Sequence, residues 1–141
     1  MKTLFHAALA VALLSGGAQA AGDAANGEKV FARNCKACHE IVTPDGKEIV
    51  KGGKVGPDQY GLINRHAATA PGFTRYSESL KAAGAKGLVW TEEEVAKFVE
   101  DPKKYLAEYL GDPTAKSNMA FKLRKAEDRA DVAAYLASVG G

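Results

Sequence analysis

A chain of 141 residues has the size of one domain. With 46% hydrophobic and 26% charged residues it falls outside the disordered and fibrous classes. A formal charge of +2 is far from the strongly basic balance of a nucleic-acid binder.

The chain opens on a segment unlike the rest. Lys2 supplies a positive start, Ala7 to Leu14 is an unbroken apolar run, and Ala18-Gln19-Ala20 sets small residues where signal peptidase reads. A spanning helix needs about twenty apolar residues, and this run is too short to be one. Residues 1–20 therefore read as a cleaved secretory signal and 21–141 as the mature domain. The competing reading, an apolar helix kept in the mature chain, gives the cleavage site no purpose. Cleavage removes Met1, Lys2 and His6, which leaves 18 basic against 17 acidic residues.

Asp23 can cap a first helix that carries Gly27, Val30 and Phe31 toward two cysteines. There, Cys35-Lys36-Ala37-Cys38-His39 spells C-x-x-C-H, the attachment sequence for a c-type haem. Cysteines three residues apart on a helical turn share a face, so both thiols can add to the vinyl groups of one porphyrin. The adjacent histidine is then carried beneath the iron as an axial nitrogen ligand. Three other readings of the pentapeptide stay open on its own evidence. A redox dithiol expects a thioredoxin-like βαβ context, which this chain lacks. A zinc site would have only His66 as a further nitrogen ligand and no third cysteine. A structural disulfide suits any exported protein.

Residues 40–76 are rich in glycine and proline and show little periodicity, so they read as loop. So long a loop counts against a compact domain unless a bound group gives it a surface to pack on. Ser77 to Ala83 reads as a short helix stopped by Gly84. Thr91 with Glu94 is a capping-box signature for a helix through Glu100. Asp101-Pro102 places a cap and an N1 proline before a further helix ending near Gly111. A last helix runs from about Glu127 to Val139, with Val132, Tyr135, Leu136 and Val139 as its buried stripe. The fold class is all-α, short helices and long loops.

The sixth iron ligand follows from what the mature chain retains: His39, His66 and a single methionine, Met119. Electron-carrying haems take His/Met or His/His axial pairs. Met119 stands in the polar stretch Lys116-Ser117-Asn118-Met119, a poor place for core filler. It is the favoured ligand, with His66 as runner-up; the plainer reading of His66 is a surface histidine in a loop.

The order of these landmarks resembles class I cytochrome c, and within it the cytochrome c2 and c-550 branch. The resemblance runs from Gly27 to Leu136 through Cys35–His39, Gly56-Pro57-Asp58-Gln59-Tyr60-Gly61, Ala70-Pro71-Gly72-Phe73, Trp90, Asp101-Pro102-Lys103-Lys104-Tyr105, Asn118-Met119-Ala120-Phe121 and Ala134-Tyr135-Leu136. It implies a fold wrapped around one covalently bound haem c. It also implies that the Pro57 carbonyl accepts a hydrogen bond from His39 Nδ1, and that Arg65, Tyr76, Trp90 and Ser117 surround the propionates. Gly27, Phe31 and Tyr135 would mark the crossing of the first and last helices, and Phe121 the exposed haem edge. Three positions depart from the family pattern. Phe98 replaces a tyrosine whose hydroxyl reaches the methionine sulfur, Gln59 replaces a leucine, and Asn64 replaces a glycine.

The function implied is that of a monomeric periplasmic carrier of single electrons. Its donor would be the cytochrome bc1 complex, and its acceptor a photosynthetic reaction centre or a terminal oxidase. It would not be an enzyme. Lys54, Lys103, Lys104, Lys116, Lys122, Arg124 and Lys125 would form a cationic rim near Phe121 that steers acidic partners. The alternative is a haem peroxidase or small-ligand binder with a labile sixth ligand, for which Phe98 leaves an opening.

Overall fold

The computed structural model describes residues 21–140; the leader assigned to residues 1–20 lies outside them. Five helices and one small hairpin follow in chain order: α1 (Ala24–Asn34), β1 (Ile41–Val42), β2 (Glu48–Val50), α2 (Glu78–Ala85), α3 (Glu92–Glu100), α4 (Pro102–Leu110) and α5 (Ala126–Ser138). Among the described residues no helix is long and apolar enough to cross a membrane.

The frame is the crossing of α1 and α5, with α3 laid against α5. Asp23 caps α1 by accepting from the Ala25 and Asn26 amides at 2.9 and 3.2 Å. At the crossing the chains approach so closely that a Cβ on Gly27 would stand 1.9 Å from the Asp131 carbonyl oxygen. Phe31 and Tyr135 meet there with ring centroids 5.9 Å apart. Buried Asp131 ties the two helices by accepting from the Asp23 amide at 2.7 Å and from Asn26 Nδ2 at 2.6 Å. Val132, Tyr135 and Leu136 are buried as the helical stripe requires, and Val139 is half-buried just past the end of α5.

The structure departs from the sequence reading in three places. The stretch expected to be all loop contains an antiparallel hairpin, Ile41 opposite Val50 and Val42 opposite Glu48, closed by a turn with Gly46 at φ +88°. A two-residue strand is too short to show alternation, so periodicity could not reveal it. Gly84 does not stop α2. It sits inside the helix because a Cβ there would come within 2.3 Å of the Ala67 carbonyl oxygen, and the turn falls instead at Gly87, φ +105°. The capping box on α3 is half formed: Thr91 Oγ1 accepts from the Glu94 amide at 3.1 Å, but the Glu94 carboxylate receives the Tyr105 hydroxyl instead. Asp101 caps α4 with Pro102 in its first turn, and Gly111 ends it in the left-handed conformation, as expected.

Candidate haem-binding site

The C-x-x-C-H segment is a tight turn that continues the end of α1. The amides of Cys35 and Lys36 both donate to the Phe31 carbonyl, at 2.9 and 3.0 Å, and those of Cys38 and His39 both donate to the Cys35 carbonyl at 3.0 Å. A glycine-rich strand of chain is laid over this turn. Gly53 donates to the Lys36 carbonyl and Gly56 to the Cys38 carbonyl, each at 2.8 Å. Gly56 lies against the imidazole of His39: a Cβ there would stand 2.2 Å from His39 Cε1. Nothing larger than glycine fits beside the ring.

His39 Nδ1 donates to the Pro57 carbonyl at 2.8 Å. A carbonyl can only accept, so this contact puts the hydrogen on Nδ1 and leaves the Nε2 lone pair free. Burial lowers the His39 pKa, and the Pro57 contact opposes it. The ring is thus held neutral, the form that binds metal. Burial and the neighbouring Cys38 push the Cys35 thiol up to about 12, so it stays protonated at neutral pH. Cys35 and Cys38 are not joined to each other in a disulfide.

Cys35, Cys38, His39, Pro57, Arg65, Tyr76, Trp90, Ser117 and Met119 all line one cavity of about 510 Å³. Half-buried Met119 packs at the edge of the core, its backbone fixed by Ser117, whose Oγ accepts from the Met119 amide at 3.1 Å and donates to its carbonyl at 3.0 Å. His66 reaches the same cavity, but it is exposed and pairs through its backbone with Val89. Arg65 turns its guanidinium onto the carbonyls of Tyr60 and Asp58, at 3.1 and 2.9 Å, and burial lowers its pKa. The Tyr76 hydroxyl accepts from the Ala70 amide at 3.0 Å, which leaves its proton to donate. Phe98 forms part of the wall and packs edge-on against Trp90, centroids 5.0 Å apart.

Exposed apolar residues mark the mouth. Phe121 is 41% exposed and Val55 is 71% exposed, and both border the cavity. Val55 escaped the sequence reading. Its only signal is that it is a lone apolar residue among glycines and lysines in Gly52-Gly53-Lys54-Val55-Gly56.

The cavity suits a flat apolar group held by few polar atoms. Its volume lies within the roughly 300–1,000 Å³ of small-molecule and cofactor sites. Its walls are Phe31, Leu62, Phe98, Val132 and Leu136, and its potential soft and nitrogen ligands face the same space. Among the described residues no group of three or more His, Cys, Asp or Glu is placed to hold a metal by itself, so a zinc site finds no ligand set here. A more open groove of about 880 Å³ beside α3 and α4 offers no such chemistry. Its charges pair with each other, as Lys122 does with Asp101 at 2.6 Å and Lys104 with Glu108 at 3.8 Å.

Comparison with known proteins agrees with this geometry. The model of the cytochrome c family matches residues 24–140. Cytochrome c2 of Rhodobacter capsulatus is 52% identical over 139 residues, covering 99% of this chain and 98% of that protein. Cytochrome c-550 of Paracoccus pantotrophus is 49% identical over 118 residues, 82% of this chain and 85% of the relative. Among solved structures, cytochrome c2 from Rhodobacter sphaeroides superposes with a TM-score of 0.81 at 45% identity, covering 84% of this chain and 97% of that one. The chain belongs to the cytochrome c family. Within that family it stands in the class I branch of cytochromes c2 and c-550, the electron carriers that hold one covalently bound haem c.

Proposed function

We propose that the chain shuttles single electrons in the periplasm, from the cytochrome bc1 complex to a photosynthetic reaction centre or a terminal oxidase, with no catalytic turnover of its own. The observation that carries the reading is the convergence of Cys35, Cys38, His39 and Met119 on one apolar cavity. When bound, haem c supplies the one-electron couple between ferrous and ferric iron.

Each residue has a distinct task. Cys35 and Cys38 would hold the porphyrin through thioether links to its two vinyl groups. His39 would hold the iron through Nε2, its tautomer fixed by Pro57. Met119 would offer the thioether, a ligand that favours the reduced state. Arg65, Tyr76 and Trp90 would offer donors to the propionates, whose burial without partners would be costly; Ser117, whose proton goes to the Met119 carbonyl, would have to turn away from it to join them. The largely apolar walls would leave few polar groups to reorient when the charge changes by one.

Docking rests on the mouth. Phe121 and Val55 present an apolar contact beside the cavity, while Lys104, Lys122 and Arg124 of the expected rim line the separate groove beside α3 and α4. Several of the rim cations have carboxylate neighbours, Lys54 with Glu40 at 3.7 Å and Lys125 with Glu127 at 3.0 Å, so steering is weaker than the basic residues alone suggest. Oxidation by an acidic partner should slow as salt rises.

The peroxidase or small-ligand alternative stands on Phe98, which brings no hydroxyl to the cavity wall. An absorption spectrum separates the two. Low-spin ferric protein with a weak band at the red edge of the visible, lost in Met119→Ala, marks the carrier. High-spin iron in the resting protein marks the alternative.

A further inference from the structure

Gln59 occupies a position where class I cytochromes c usually carry leucine, and its side chain does not behave as a leucine would. It is 8% exposed, and Nε2 lies 2.9 Å from the Pro57 carbonyl oxygen and 3.0 Å from His39 Nδ1. The amide orientation follows from the partner. Turned the other way, Gln59 would set two oxygens against each other at the same 2.9 Å while Oε1 accepted from His39 Nδ1, the arrangement in which Gln59→Leu would raise the potential instead of lowering it. With Nε2 of His39 committed to iron, Nδ1 keeps its hydrogen and donates to that same oxygen at 2.8 Å. One carbonyl therefore receives two N–H donors.

Two effects follow, and they act in the same direction. A carbonyl shared with Gln59 draws less strongly on the Nδ1 hydrogen, so the imidazole carries less negative charge to the iron. The positive end of the amide dipole also sits 3.0 Å from the ring, in a place closed to water where such a field is weakly screened. Both disfavour the more positive, ferric iron. Leucine in its place would leave the pocket equally closed but remove the second donor and the dipole.

We propose that Gln59 is a positioning residue that raises the reduction potential by competing with His39 for the Pro57 carbonyl. The proposal rests on the reading of His39 as an iron ligand.

The test is the midpoint potential of the haem-loaded wild type, Gln59→Leu and Gln59→Glu. The order expected is wild type highest, Gln59→Leu lower, and Gln59→Glu lowest, because a carboxylate accepts the Nδ1 hydrogen where the amide competes with it. Proton NMR of the ferrous forms adds a readout that packing alone would not move. The His39 Nδ1 proton should shift downfield in Gln59→Leu as its bond to Pro57 strengthens. A Gln59→Leu potential equal to or above wild type, or an unmoved Nδ1 resonance, overturns the proposal. If Gln59→Glu does not take up haem, the leucine variant with the NMR shift decides alone. Covalent haem and an intact red-edge band in Gln59→Leu would show that the ligand assignment stands while the tuning role is judged separately. Wild type without haem would overturn both.

Discussion

The contact between Gly56 and His39 leads to a quantitative expectation for Gly56→Ala. The added methyl would sit 2.2 Å from Cε1, 2.6 Å from Nδ1 and 2.8 Å from Nε2 of the imidazole. Ordinary contact begins near 3.4 Å, so the ring or the loop must yield by about 1.2 Å. If the ring retreats, it leaves the Pro57 carbonyl; if the loop lifts, it takes Pro57 away and strains the Gly56 bond to Cys38. Losing a buried hydrogen bond costs about 1–3 kcal/mol, and forcing a methyl into a packed site costs a similar amount. The sum, about 2–6 kcal/mol, is a large part of the stability of a domain this size. Denaturant unfolding followed by haem absorbance and circular dichroism should show a lower midpoint, together with high-spin iron in the resting ferric protein. Gly72→Ala is the control. It lies at φ +73° with nothing within 4 Å, so it should cost about 1 kcal/mol of backbone strain and leave the spectrum unchanged. A Gly56→Ala protein with wild-type midpoint and spectrum would refute the packing argument.

Other expectations test the frame. Asp131→Ala removes the acceptor of two bonds between α5 and the start of α1 and should lower stability by about 1–3 kcal/mol, read from the denaturant midpoint with the spectrum unaltered. Asn64 holds φ +70°, so Asn64→Ala should cost about 1–2 kcal/mol and Asn64→Gly should not. Burial, then the hydrogen bond to Glu94, raise the Tyr105 phenol pKa above its ordinary 10. A raised pKa contributes stability that is complete below the unfolded value and is lost as pH climbs toward the folded one. Stability should therefore fall more steeply above about pH 10 in the wild type than in Tyr105→Phe. Parallel curves would show that Tyr105 ionises freely.

The site was legible where chemistry demands fixed residue types at fixed spacing. C-x-x-C-H and a single retained methionine point to four positions without any coordinates, and the helix ends at Asp23, Asp101 and Gly111 carry their own caps. What could not be read depended on contacts between distant segments. Gly84 resembles a helix stop in sequence, and only the approach of Ala67 explains it as an interior residue. Glu94 looks like a capping partner for Thr91 until Tyr105, eleven residues on, takes its carboxylate. Asn64 in place of glycine finds its explanation in a left-handed backbone that asparagine tolerates better than most residues. Gln59 is the clearest case. Its identity marked a departure, but its meaning lies in a carbonyl that it shares with His39.

The most direct measurement is mass spectrometry of the purified protein after acid–acetone extraction, with peptide mapping of residues around Cys35 and Cys38. The colour should stay with the protein, and one haem should be found on a single peptide carrying both cysteines. Colour passing into the organic phase, with the two cysteines recovered as thiols or as a disulfide, would contradict the account.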